Sequence, residues 1–108
     1  MNNRDIQTQD KILQVINDAV YTSKGRYLKD IEEQVLLGSL KKQKYHEIAE
    51  EHGYCTKYIS QDVGFNLWKM LTEALGESVN KNNIKSVSRR AVRNSSFGLF
   101  ERNKQLHI

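Results

Sequence analysis

Residues 47–71 read EIAEEHGYCTKYISQDVGFNLWKML. Gly53 divides the stretch into a short first half and a longer second half. Ile48 and Ala49 give the first half one apolar contact point, and Gly53 stands where a left-handed residue would close a short helix. From about Thr56 to Leu75 the apolar residues Ile59, Val63, Leu67, Met70 and Ala74 are spaced 4, 4, 3 and 4, the period of one helical face. Trp68, Leu71 and Leu75 form an adjoining stripe, and Gly76 stops the run. A short helix, a glycine reversal and a longer helix about three residues later make a helix-turn-helix pattern. Ala49 must be small because the two helices cross close to it, and Ile48, Ile59 and Val63 lock them into one unit. Cys55 or Thr56 takes the N-cap, where Thr56 has the better cap chemistry.

The outward residues of the first turns of the longer helix are Thr56, Lys57, Tyr58, Ser60 and Gln61. A lysine can donate to guanine O6 and N7, a glutamine can pair with adenine, and hydroxyls bond phosphate or base. A helix N-terminus also favours a phosphate. Lys41, Lys42 and Lys44, just ahead of the motif, are placed to hold the backbone of a duplex. Glu50, Glu51 and Asp62 oppose that by repelling phosphate. Tyr58 and Phe65 fall on the outer face with Gln61 and Lys69, a pattern that also suits a dimer or partner surface.

Working outward, Ile12, Leu13, Val15, Ile16, Ala19 and Val20 predict a helix from Asp10 to about Tyr21, with Gly25 as its stop. A second helix is expected from Asp30 as N-cap, with Glu33 as capping-box partner and Ile31, Val35, Leu36 and Leu40 inside. Tyr45–Glu51 is the short helix of the motif. Val79, Ile84 and Val87 predict one more short element near 83–91. Beyond Arg93 the segment has no clear period and reads as a linker or frayed end. No internal repeat is present. The fold expected is all-α, with four to five helices and no winged element. The expected division is a helix-turn-helix domain over 1–91 and a basic tail or linker over 92–108.

The chain has 108 residues, room for one core, with 38% hydrophobic and 28% charged residues, an ordinary globular balance. No apolar run approaches the roughly 18 residues of a membrane-spanning helix, and the polar start MNNRDIQTQD is no signal peptide. One cysteine excludes an internal disulfide and a Cys-based zinc site, and points to a reducing, cytoplasmic setting. The absence of proline disfavours a turn-rich β-sandwich. The net charge of +4 is unevenly placed: residues 1–78 hold 10 Lys and Arg against 12 Asp and Glu, residues 79–108 hold 7 against 1. Arg89, Arg90 and Arg93 can therefore follow a DNA backbone, or belong to a solvated tail.

Catalytic chemistry finds little support. His46, His52 and His107 have no ligand spacing to one another or to Cys55, so no metal is expected. Cys55 lacks a base, no paired carboxylates stand in an apolar setting, and there is no glycine-rich phosphate loop. Neither an enzyme nor a cofactor is expected.

The segment from about Ile12 to Arg90 resembles the N-terminal helix-turn-helix domain of vWA-MoxR-associated proteins. The resemblance is carried by YHEIAEEHGY (45–54), DVGFNLWKML (62–71) and ALGESVNKNN (74–83), including Gly64 and Trp68. The core motif is also similar to sigma-factor region 4 and LuxR-type domains. In that family, which is bacterial, a similar module precedes STAND-type NTPase, TIR or protease parts. The chain departs from it in carrying Cys55 where those relatives carry Ser. The resemblance leaves two expectations for the chain, a stand-alone small protein or the N-terminal piece of a larger one. The helix-turn-helix pattern and its outward residues point to double-stranded DNA as partner and a role in transcriptional regulation, with Lys42, Lys44, Thr56, Lys57, Tyr58, Ser60, Gln61, Arg89 and Arg90 as candidate contacts. Specificity in so small a module would call for a homodimer or tandem half-sites, with Phe65 and the apolar first helix as candidate dimer surfaces. The alternative is an adaptor domain that recruits a protein partner, using Glu47, Glu50, Glu51 and Asp62.

Overall fold

Five helices follow one another in a computed structural model that describes the backbone of residues 3–106 and the side chains of residues 8–95. No strand occurs among the described residues, so the architecture is all-α as the periodicity predicts.

Helix α1 covers Asn3–Lys24. It starts seven residues before the predicted Asp10, because the stretch 3–9 ahead of Asp10 has a single apolar residue, Ile6, too little to show the helical period. It ends as expected at Gly25, whose φ of 72° and N–H to the Tyr21 carbonyl (2.8 Å) close the last turn. Ile12, Val15, Ile16 and Val20 are buried, and α1 lies against the last two helices of the fold.

Helix α2 covers Asp30–Leu40. Its N-cap is Lys29 rather than Asp30, and the capping partner is Glu32 rather than Glu33: the Lys29 N–H donates to the Glu32 carboxylate at 2.7 Å. The frame moves by one residue because Glu32 is also clamped by Arg26, at 2.9 and 3.1 Å, in a two-pronged ion pair. Burial alone would raise the Glu32 carboxyl, but the Arg26 guanidinium and the Lys29 N–H hold it below the usual glutamate range. Glu33 instead accepts from Asn17 of α1.

Helix α3 covers Tyr45–His52 and repeats the same device, with Lys44 as N-cap and its N–H donating to Glu47 at 2.7 Å. Neither lysine can cap through its side chain. One acid three residues on supplies half a capping box at each helix. Lys42, in the connection, adopts a left-handed φ of 64°.

The longer helix of the motif is helical without a break over 56–75. It contains a π-helical segment, Tyr58–Gly64, followed by α4, Phe65–Leu75. Gly76, at φ 74°, ends it where the sequence places the stop. Helix α5 covers Ile84–Leu106. Asn80 and Asn83 build its start: the N–H groups of Asn82 and Asn83 donate to Asn80 Oδ1, and Asn80 N–H donates to Asn83 Oδ1. The short element predicted near 83–91 is therefore the beginning of a long helix. The segment read as a linker or frayed end beyond Arg93 is helical to Leu106; its lack of an apolar stripe hid it.

The core is continuous. Ile16, Val20, Val35, Leu36, Ile48, Ile59, Leu67, Leu71 and Val87 have no exposure, and all five helices contribute. Gly38 on α2 lets α3 approach closely, since a Cβ there would stand 2.6 Å from Ile48 Cγ1. Thr72 fastens the connection after α4, donating to the Trp68 carbonyl at 2.8 Å and accepting the Val79 N–H at 2.9 Å.

Candidate nucleic-acid interface

The motif itself is built as its residues require. Ile48 and Ala49 on α3 meet Ile59 and Val63 on the longer helix, and all four are buried. Gly53, at φ 76°, reverses the chain, and the Tyr54 N–H returns to the Ala49 carbonyl at 2.9 Å. The longer helix is helical from Thr56, and the Ile59 N–H bonds the Cys55 carbonyl at 3.2 Å. The N-cap is therefore Cys55. Thr56 is one position too far along for its hydroxyl to serve, and an exposed thiol is a poor substitute.

The π-helical segment ends at a close contact between the two helices of the motif. Gly64 faces Tyr45 of α3: a Cβ on it would stand 3.0 Å from both the Tyr45 hydroxyl and the Ile59 carbonyl oxygen. The Tyr45 hydroxyl accepts from Trp68 Nε1 at 2.9 Å. Lys81 approaches from the connection before α5, its ammonium 5.3 Å from the centre of the Tyr45 ring and donating to the Gln43 carbonyl. Burial pushes the Lys81 amine down, and the Glu47 charge only partly offsets that. Tyr45, Gly64, Trp68 and Lys81 together set the angle between the two helices of the motif. Nothing in the spacing of the sequence connects Lys81 to Tyr45, 36 residues before it.

The outer surface of the longer helix presents Thr56, Lys57, Tyr58 and Gln61, all exposed. Ser60 is half-buried, and its hydroxyl points back toward the Lys57 carbonyl at a long 3.4 Å. Tyr58 does not pair with Phe65. It lies beside Tyr54, ring centres 5.5 Å apart, so the turn and the first helical turn share an aromatic edge the sequence reading missed. Tyrosines four residues apart across a helix start are the signal that was available. Lys42 and Lys44 are both exposed ahead of α3, on the side of the motif where its first helix begins.

The arginines of α5 sit elsewhere. Arg89 and Arg90 are exposed, but Arg90 pairs with Glu77 at 2.7 Å. That contact raises the Arg90 pKa further. Glu77 follows the C-terminal end of α4, and the 19 residue-to-residue steps from Thr56 to Leu75 span about 28 Å of helix. Arg90 is thus placed at the far end of the helix from Lys57 and Gln61. The acidic residues Glu50, Glu51 and Asp62 are exposed beside the basic ones. Glu51 also accepts from Gln43 at 3.2 Å, which ties α3 to the connection that carries Lys42 and Lys44. His46 is exposed, His52 half-buried and Cys55 exposed, and among the described residues no group of His, Cys, Asp or Glu gathers at metal-binding distance. His107 lies outside the described residues. Among those described, no helix is long and apolar enough to cross a membrane.

No curated protein matches the chain, and no solved structure does. The family model described as vWA-MoxR associated protein N-terminal HTH matches residues 7–91. That span holds α2, α3, the π-helical segment and α4 in full, with most of α1 and the start of α5. The chain therefore belongs to the family of vWA-MoxR-associated N-terminal helix-turn-helix domains.

Proposed function

We propose that the chain binds double-stranded DNA with sequence preference and without catalysis, and that this binding serves transcriptional regulation in a bacterial cytoplasm. The observation that carries the reading is the run of exposed Thr56, Lys57, Tyr58 and Gln61 on the first turns of a helix held out by α3. In this reading those turns enter the major groove, where Lys57 donates to guanine and Gln61 pairs with adenine. Thr56 and Ser60 reach base or phosphate, and Tyr58 offers an apolar edge to a thymine methyl. Lys42 and Lys44 hold phosphates at the start of α3. Arg89 contributes to backbone attraction at longer range, and Arg90 does so only after leaving Glu77. Residues 92–108 form a basic extension of the domain, which ends near residue 91.

Selection from a pool of random duplexes tests the proposal. Enrichment of a defined sequence by the wild type, lost when Lys57 and Gln61 are both replaced by alanine, is the expected result. A pool that stays random overturns it. The second reading is an adaptor domain for a basic protein partner, favoured by the exposed acids Glu50, Glu51 and Asp62 beside the motif. A protein complex that persists in moderate salt while the duplex pool stays random would establish that reading instead.

A further inference from the structure

Phe65 is the most exposed large apolar side chain among the described residues, at 64%, although it opens α4 in the middle of a helix that buries its opposite face. It frames an open, apolar hollow of about 390 Å³ with Trp68, Thr72 and Val79, flanked by Lys69 and Glu73. Residues 65, 69 and 73 are all exposed, and a four-residue spacing sets each about one turn beyond the last on neighbouring parts of the surface. An occupant must bring an apolar group to the hollow and charges opposite to Lys69 and Glu73, in the reverse order along its own axis. An antiparallel copy of the same helix meets those conditions.

We propose that the 65–73 face of α4 is a self-association surface on which two copies of this chain pack antiparallel about a two-fold axis midway between Lys69 and Glu73. In that register Lys69 faces Glu73 of the partner subunit, and the reverse pair forms by symmetry. Phe65 falls at the Val79 end of the partner's hollow. Glu73 is able to accept the second lysine, because Lys24 occupies only its Oε2. The apolar face of α1 is not available for this contact, since Ile12, Val15, Ile16 and Val20 are buried within the fold. The pairing stands independently of any DNA contact. Combined with the DNA reading above, it implies competition, because Gln61 lies one turn from Phe65.

Sedimentation equilibrium of the full chain without DNA tests the pairing. The wild type is expected to reach twice the chain mass in the micromolar range, and Phe65→Ser to remain at the single-chain mass with a melting midpoint that, unlike the wild type's, does not rise with protein concentration. Lys69→Glu is expected to weaken association at least tenfold, and Lys69→Glu with Glu73→Lys to restore it when Lys24→Glu is added to keep an opposite charge beside residue 73. A wild type that stays monomeric at hundreds of micromolar overturns the proposal. So does a dimer that Phe65→Ser leaves intact, or one that the charge swap fails to rescue. None of these outcomes depends on whether a duplex binds.

Discussion

Gly38→Ala should destabilise this domain even though it replaces glycine inside a helix. In an unobstructed helix the change would stabilise by about 0.5–1 kcal/mol through backbone entropy. At position 38, however, the new Cβ would lie 2.6 Å from Ile48 Cγ1, 2.7 Å from Ile48 Cδ1 and 2.8 Å from Gln43 Oε1. The Gln43 side chain is half-buried and can turn aside, but Ile48 has no exposure and nowhere to rotate. Relief requires α2 and α3 to separate, an overpacking cost of about 1–3 kcal/mol. The net effect is a loss of about 1–2 kcal/mol, which in a domain of this size lowers the melting midpoint by about 5–12 °C. Thermal unfolding followed by far-ultraviolet circular dichroism reads this directly. Ile48→Val alone costs about 1 kcal/mol, but in the Gly38→Ala background it removes Cδ1 and should cost less, so the pair couples favourably. A Gly38→Ala protein that melts at or above the wild-type midpoint would refute the claim that glycine is present for close helix approach.

Ser88→Ala should stabilise by about 1 kcal/mol in chemical denaturation, because the Ser88 hydroxyl is fully buried without a hydrogen-bond partner; destabilisation would show that it has one. Tyr45→Phe removes the acceptor of the Trp68 indole and should cost about 1 kcal/mol, with a change in tryptophan emission that reports the lost bond. The Glu32 carboxyl is held below its unfolded value, so its contribution is complete above the usual glutamate pKa and is lost as pH falls through the lower folded value. Glu32→Gln should therefore melt lower than wild type at neutral pH by about 1 kcal/mol of stability, and the two should converge on acidification; parallel curves would contradict the role given to Arg26.

The motif was legible because its signals are local. Ala49, Gly53, Ile59 and Val63 each have a single steric reason to be where they are, and the spacing of four survives even through the π-helical segment. Asp30 and Glu33 misled because a capping box is read from side-chain type, while the frame was decided by Arg26, whose grip on Glu32 spans a loop. The extended ends of α1 and α5 were missed for the opposite reason: their apolar residues, Ile6 in one and Phe97, Leu99, Phe100 and Leu106 in the other, mark no sustained helical period. The arrangement of Tyr45, Gly64, Trp68 and Lys81 depends on chain segments far apart in sequence. Exposure of Lys57 and Gln61 followed from helical phase alone. The tie of Arg90 to Glu77 did not, because their meeting needs the connection after α4 to fold back beside α5.

Fluorescence anisotropy with a duplex recovered by selection, and with a scrambled duplex of equal composition, tests the central claim most directly when run at two salt concentrations. Phosphate contacts through lysine should make wild-type affinity fall steeply with salt. The preference for the recovered duplex should drop at least tenfold, about 1.4 kcal/mol, in Lys57→Ala with Gln61→Ala, while that variant keeps its stability within about 0.5 kcal/mol. An undiminished preference in the double variant, or no duplex binding by the wild type at low salt, would contradict the assignment of this helix to the major groove.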